Sequence, residues 1–247
     1  MLDPAAASDA AKDAAARAAV AMVEDGMRLG LGTGSTAAVM VRHLAHRVKA
    51  EGLTLRCAAT SEATATLAAS LGLTVEPLDA IGWLDLTIDG ADEIDPDLAL
   101  IKGGGGALLR EKIVAAASDR MVVIADPAKV VERLGAFHLP VEVVPFGWET
   151  TRAHITRLLE KHGLTHRPVL LRQREAGPFR TDEGNLILDL ALEAIPDACE
   201  LSRGLNMIPG VVESGLFVDM ADLALIGQPD GTAIELIADQ TPEEDRA

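Results

Sequence analysis

The segment Asp89–Lys112, DGADEIDPDLALIKGGGGALLREK, constrains this chain more than any other. Four consecutive glycines, Gly103–Gly106, separate a short apolar run from a helix-forming stretch. Glycine loses more backbone freedom on folding than any other residue, so a run of four needs a physical reason. A loop whose bare N–H groups must approach a ligand closely is one. The apolar run Trp83–Ile88, broken by Asp85 and Thr87, reads as a buried strand with Asp89 at its carboxyl end. Asp89-Gly90-Ala91-Asp92 then reads as a turn. Leu98–Ile101 reads as a second strand ending at Lys102, and Ala107–Ser118 has helical composition. Open α/β sheets bind ligands beyond the carboxyl ends of their strands. A strand, a glycine loop and a helix N-terminus offer an anion both amides and a dipole. Glu111 falls near the first turn of that helix, within a loop's reach of Lys102. The plain alternative is a glycine hinge among solvated charges. Asp89, Lys102 and Glu111 at the edges of strand, loop and helix favour a functional site over that alternative.

The same unit occurs earlier. Met27–Leu31 reads as a strand, Gly32-Thr33-Gly34-Ser35-Thr36 as a loop, and Ala37–Val48 as a helix with Val41, Leu44 and Val48 on one side. Ser35 and Thr36 can cap that helix and can also offer hydroxyls to a phosphate. A dinucleotide fingerprint fails because its third glycine would fall at Ser35, and no G-K-[ST] follows to make a P-loop. A phosphate cradle without a nucleotide is the better reading. Leu53–Ala59 reads as a strand, and Thr60-Ser61-Glu62 opens a helix to about Leu71 with Ser61 as N-cap. Leu73–Pro77 and Met121–Ala125 read as further strands. Lys129 lies just past Met121–Ala125, on the same rim as Asp89 and Lys102 if the sheet is parallel. Ahead of all these, Ala5–Glu24 is an alanine-rich helix carrying Lys12 and Arg17.

The pattern then changes. Strands at Leu139–Val144, Pro168–Leu171, Leu186–Leu190 and Val211–Val218 enclose helices at Glu149–His162 and Asp197–Asn206. That β-α-β-β-α-β order is the ferredoxin-like layout. Asp222–Ile226 and Thr232–Ile237 read as strands returning to the first sheet, and Thr241–Ala247 as a frayed acidic tail. The expected fold is α/β: a Rossmann-like, doubly wound, mostly parallel sheet with an inserted smaller α+β (ferredoxin-like) domain. Residues 1–134 with 219–247 would form the first domain and 135–218 the insertion.

Composition narrows the partners. A net charge of −16, from 38 acidic and 22 basic residues, disfavours nucleic acid and anionic membranes. Aromatic residues make up 2% of the chain and tyrosine is absent, so base-stacking platforms are scarce. A small anionic substrate remains compatible, because local donors can overcome the global sign. Cys57 and Cys199 suit neither a disulfide framework nor a metal site, and the six histidines lack ligand spacing. We therefore expect no metal and no cofactor, and a cytoplasmic protein: no run reaches membrane-span length and no basic leader precedes an apolar core.

On Gly32-Thr33-Gly34-Ser35-Thr36, Asp89-Gly90-Ala91-Asp92-Glu93, Lys102-Gly103-Gly104-Gly105 with Arg110-Glu111-Lys112, and FHLPVEVVP from Phe137 to Pro145, the chain resembles the type A ribose-5-phosphate isomerases over nearly its whole length. The resemblance implies that Glu111 is the catalytic base. It places Thr33, Gly34, Ser35 and Thr36 in the substrate loop, with Ser35 and Thr36 on the phosphate. Asp89, Gly90, Ala91 and Asp92, together with Lys102, Gly103, Gly104 and Gly105, would hold the sugar. Lys129 matches a substrate-binding lysine, and Lys12 resembles a lysine of the first helix that can reach the phosphate. Leu109 departs from members with Thr before Arg-Glu. A homo-oligomer, commonly a homodimer, is implied too. The residues suit the chemistry: moving a proton between C1 and C2 through an enediolate needs a carboxylate base, an acid for the sugar oxygens and oxyanion stabilisation. Glu111 would shuttle the proton, Asp89 would help open the furanose ring, and Lys102 with the Gly103–Gly105 amides would hold the oxyanion. A sugar-phosphate sensor would use the same fold but not need Glu111, and a nicotinamide oxidoreductase is weakened by Ser35.

Overall fold

The computed structural model describes residues 3–238; the tail expected over Thr241–Ala247 lies outside them. The chain opens with α1 (Pro4–Ala21), β1 (Arg28–Leu31), α2 (Ser35–Glu51), β2 (Arg56–Ala59), α3 (Glu62–Ser70), the single turn α4 (Leu78–Ile81) and β3 (Leu86–Gly90). It continues with β4 (Glu93–Ile94), β5 (Leu100–Ile101), α5 (Leu108–Ala116) and β6 (Met121–Ala125), closed by a 3₁₀ turn at Pro127–Lys129. Next come β7 (Leu139–Val143), α6 (Trp148–Lys161), β8 (Val169–Leu171), β9 (Gln173–Arg174), β10 (Gly177–Pro178), β11 (Leu186–Leu190), α7 (Ala198–Asn206) and β12 (Val211–Ser214). The last strands are β13 (Leu216–Phe217), β14 (Leu223–Gly227) and β15 (Ala233–Leu236).

The main sheet runs β15-β14-β6-β3-β1-β2, parallel except for β15 at its edge. Helices cover both faces, so β6 is buried at every position, as its unbroken MVVIA sequence requires. Leu29, Leu31, Ile88, Val122 and Ile124 form part of its core with Met40, Val41 and Leu44 of α2. The chain steps from β1 outward to β2 and then back across to β3. The carboxyl ends of β1 and β3 therefore lie side by side at the topological switch point, where a crevice opens. α1 packs against α2 and β14. Its alanines make it thin enough to lie on Gly227, where a Cβ would strike the Ala11 carbonyl.

A second, antiparallel sheet runs β12-β7-β11-β8. Leu139, Val141, Val143, Leu186, Leu188 and Leu190 point one way and pack with Ile155 and Leu159 of α6 and Leu201 and Leu205 of α7. The alternate positions carry Pro140, Glu142, Ile187 and Asp189 on the opposite face. That face meets the start of α5, where Ile187, Phe179 and Leu108 form a small buried cluster.

Three sequence expectations change. Leu73–Pro77 is not a strand: only Val75 bridges to Cys57, and Pro77 starts α4. Leu98–Ile101 shortens to two residues because Leu98 adopts φ 59° in a turn closed by Asp95, whose Oδ1 accepts from the N–H groups of Asp97 and Ala99. Val211–Val218 splits at Gly215 into β12, paired with β7, and β13, paired with β5. Gly215 donates to the Pro140 carbonyl (2.7 Å) and accepts from the Lys102 N–H (2.9 Å), which seats it too tightly for any side chain.

Candidate active site

A cavity of about 360 Å³ opens at the switch point. The loop after β1 supplies Thr33–Thr36, the end of β3 and the turn beyond it supply Gly90–Asp92, and the segment after β5 supplies Lys102–Gly105. Glu111 of α5, Lys12 and Ser8 of α1, and Asp126, Ala128 and Lys129 after β6 complete the wall. Every site residue expected from the sequence lines this cavity except Asp89.

At its floor lies a buried three-charge cluster. Lys102 Nζ stands 3.1 Å from Glu111 Oε1 and 3.0 Å from Asp89 Oδ2, and it also donates to the Gly90 carbonyl. The Asp89 oxygen meets it as an ion pair without hydrogen-bond alignment. The Phe217 ring lies beneath, 5.5 Å from Nζ. Burial alone would pull the Lys102 ammonium down, but the two carboxylates outweigh it and hold its pKa above the usual lysine value. Burial pushes the Glu111 carboxyl up to about 8; Lys102 opposes that shift and the Asp89 charge adds to it. Two carboxylates thus share one ammonium, and a proton on Glu111 relieves the surplus negative charge. Glu111 Oε2 has no hydrogen-bond partner among the described residues.

Asp89 itself is fully buried behind the wall. Its Oδ1 accepts from the N–H groups of Thr33 (3.0 Å) and Gly90 (2.7 Å). Gly32 is obligatory at this point, because a Cβ there would collide with the Asp89 carboxylate. The Asp89 side chain thus meets Lys102 and the Thr33 amide directly behind the cavity wall. Asp92 does reach the wall, with Oδ2 accepting from Gly104 N–H at 2.7 Å.

The opposite end of the cavity is the N-terminus of α2. Gly34 is its N-cap, at φ 112°, and no side chain caps the first turn. Ser35 and Thr36 therefore do not serve as caps, and the helix leaves its first amides to the cavity side. The Thr33 hydroxyl faces away, bonded to Thr60 (2.7 Å), Ser61 (2.8 Å) and Thr64 (3.2 Å). This hydroxyl cluster ties the loop to the start of α3, where Ser61 is the N-cap the sequence suggests, accepting from Thr64 N–H. Lys12 and Lys129 both reach the wall. Asp126 was missed as a wall residue; its Oδ1 accepts from Ala128 N–H and caps the turn that presents Lys129.

Packing fixes part of the glycine run. The first turn of α5 reaches the cavity only through Glu111, because Leu108 is buried against Phe179 and Ile187. Gly106, at φ +86°, lies on the Phe179 ring, and Gly103, at φ +101°, lies against Leu108 and Pro140. Among the described residues, the helix N-terminus that opens on the cavity is that of α2. Gly103, Gly104 and Gly105 still form cavity wall.

The family model described as ribose 5-phosphate isomerase A (phosphoriboisomerase A) matches residues 56–231. The chain belongs to the ribose-5-phosphate isomerase A family. It is 62% identical over 224 residues to the ribose-5-phosphate isomerase A of Jannaschia sp. (strain CCS1), covering 91% of this chain and 86% of that one. The ribose 5-phosphate isomerase structure from Plasmodium falciparum superposes with a TM-score of 0.87 at 36% identity, over 94% of this chain and 99% of that one. A D-ribose-5-phosphate isomerase solved in complex with phospho-erythronic acid gives a TM-score of 0.85 at 34% identity, over 93% and 99%.

Proposed function

We infer that the chain interconverts D-ribose 5-phosphate and D-ribulose 5-phosphate, a step of the non-oxidative pentose phosphate pathway. One observation carries this reading beyond family membership. A buried carboxylate with raised pKa, Glu111, sits 3.1 Å from an ammonium on the wall of a cavity whose far end is an uncapped helix N-terminus. The phosphate binds at Ser35, Thr36 and the first amides of α2, with Lys12 and Lys129 alongside. That remote grip aligns C1 and C2 with Glu111. Glu111 takes the proton from C2 of the open-chain aldose, and the C2–H electron pair forms the C1–C2 double bond of an enediolate. Charge develops on O1, where Lys102 and the glycine-loop amides stabilise it. Glu111 returns its proton to C1 while the O2 proton passes to O1, leaving the C2 ketone. Asp89 acts through Lys102, and Asp92 is the carboxylate placed to handle the ring oxygen. A coupled assay of ribulose 5-phosphate formation from ribose 5-phosphate tests the reading, and a folded, inactive protein would overturn it.

Two further results are expected. Replacing Ser35 and Thr36 together by Ala should raise KM for ribose 5-phosphate by about 10–100-fold, since bonds to a charged group are worth roughly 1.5–3 kcal/mol each. Free ribose should be affected far less; equal losses would make the loop merely structural. Activity should survive dialysis against EDTA, because Lys102 already supplies the positive charge beside the reacting oxygens. Loss on dialysis with recovery on adding a divalent ion would contradict this.

We also propose a homodimer in the cytoplasm. Exposed Phe146 and Met207 support an oligomer, and the two free thiols, Cys57 and Cys199, suit a reducing compartment. Sedimentation at two concentrations checks the first. The division into 1–134 with 219–247 and an inserted 135–218 is likewise our proposal, supported by a four-stranded sheet drawn wholly from strands between Leu139 and Ser214.

A further inference from the structure

One side chain from the second sheet grips the glycine loop. Arg172, just past β8, sends Nη1 to the carbonyl oxygens of Gly103 (2.9 Å) and Gly104 (3.1 Å). Its Nε and Nη2 are held by the carboxylate of Asp189 on β11, at 2.9 and 2.5 Å. The guanidinium is a rigid planar fork, so the grip of Asp189 on one edge fixes where Nη1 points. Both side chains are largely buried, with 15% and 17% of their surface exposed. Phe179 flanks the pair, its ring 5.8 Å from the Arg172 Cζ, and carries Gly106 on its surface.

Peptide geometry gives this contact a consequence. In a trans peptide the C=O and the following N–H lie in one plane and point in opposite directions. The Gly103 carbonyl shares its plane with Gly104 N–H, and the Gly104 carbonyl with Gly105 N–H. With both carbonyls turned to Arg172, both N–H groups face away from it. Gly104 N–H does so, meeting Asp92 Oδ2 on the cavity wall at 2.7 Å. Gly105, also on that wall, follows the same geometry. Within the loop Gly106 N–H also holds the Gly103 carbonyl, at 3.0 Å. Glycines have no Cβ to resist rotation of these planes, so Arg172 adds its hold chiefly at the Gly104 carbonyl. A cation on the carbonyl side also polarises each peptide and strengthens the donor opposite.

We infer that Arg172 is a positioning residue for the isomerisation: it locks two peptide planes so that the Gly104 amide orients Asp92 and the Gly105 amide faces the developing oxyanion. This rests on the isomerase reading above. Arg172→Gln and Arg172→Lys in the full chain test it, with kcat, KM, the inhibition constant of phospho-erythronate and the thermal unfolding midpoint measured for each. The analogue carries a planar, anionic carboxylate, which matches the enediolate in shape and charge. Displacing donors by about an ångström can cost roughly 100-fold. Arg172→Gln should therefore lose about 10–100-fold in kcat with KM within about threefold, and the analogue should weaken in step with kcat. Arg172→Lys, which can hold one carbonyl but not the fork, should fall between Gln and wild type. A lowered unfolding midpoint with wild-type kcat in either folded variant, or a change in KM alone, overturns the inference. If the Gln variant does not fold, the Lys variant decides by the same criteria. Wild-type inactivity would instead count against the isomerase reading, whereas wild-type turnover with unaffected variants counts against the clamp alone.

Discussion

Glu111→Gln should lower kcat by about 10²–10⁴-fold, the range for removing a positioned general base. The amide keeps the shape and can still meet Lys102, so the fold and ligand binding should persist. In the parent enzyme, kcat/KM should rise with pH through an inflection displaced above the ordinary glutamate range, towards about 8, because Glu111 must be deprotonated to accept the C2 proton. That inflection belongs to the Lys102–Asp89–Glu111 cluster as a whole, and the Gln variant should lack it. Turnover in D₂O should place deuterium at C1 of ribulose 5-phosphate, since a proton resting on a carboxylate can exchange with solvent. Wild-type turnover in a folded Gln variant would remove Glu111 from the mechanism.

Lys102→Met should abolish detectable turnover and also destabilise the fold. Methionine matches the stem but leaves Asp89 and Glu111 buried without their shared cation. Removing one partner of a buried ion pair costs about 3–5 kcal/mol, which for a chain of this size is roughly 6–20 °C in Tm. The deficit should depend on pH. With Lys102 gone, the folded-state pKa of Glu111 rises further above its unfolded value. A group so raised contributes stability that is complete below the unfolded pKa and is lost as pH rises through the folded one. Glu111 is already raised to about 8 in the parent, so the deficit should stay nearly constant below that pH and widen as pH rises above it, where the parent's carboxyl has titrated and the variant's has not. A deficit independent of pH would mean that the buried charges are compensated elsewhere.

Much of the site could be read in the sequence, because its charged members sit at the ends of strands. Asp89 and Lys129 follow the parallel strands β3 and β6, whose carboxyl ends share one rim, while Lys102 follows the short antiparallel β5. Adjacency between distant loops could not be read. Thr33 meets Thr60, Ser61 and Thr64 only because β1 and β2 pair in register. Arg172 meets Gly103 from 69 residues further along the chain, and nothing near either residue points to the other. The four glycines were legible as a constraint, but their cause was mostly packing: Gly103 and Gly106 are fixed by Leu108, Pro140 and Phe179. The burial of Asp89 follows from the same limit. A carboxylate ending a strand looks available until the loop from β1 is seen to close over it through the Thr33 amide. An unbroken apolar run also conceals a change of sheet, which is why Val211–Val218 reads as one strand and is two.

The thin first helix has a consequence for synthesis on the ribosome. α1 rests on β14, with Ala11 against Gly227, yet roughly 200 residues separate them. At typical elongation rates of about 5–20 residues per second, α1 emerges about 10–40 s before β14, one of its two main supports, exists, whereas α2 follows it directly. During that interval α1 has α2 to pack on but not β14, so the wall that carries Lys12 is supported from one side. Translation of β14 is thus the event that lets the nascent chain complete its substrate site.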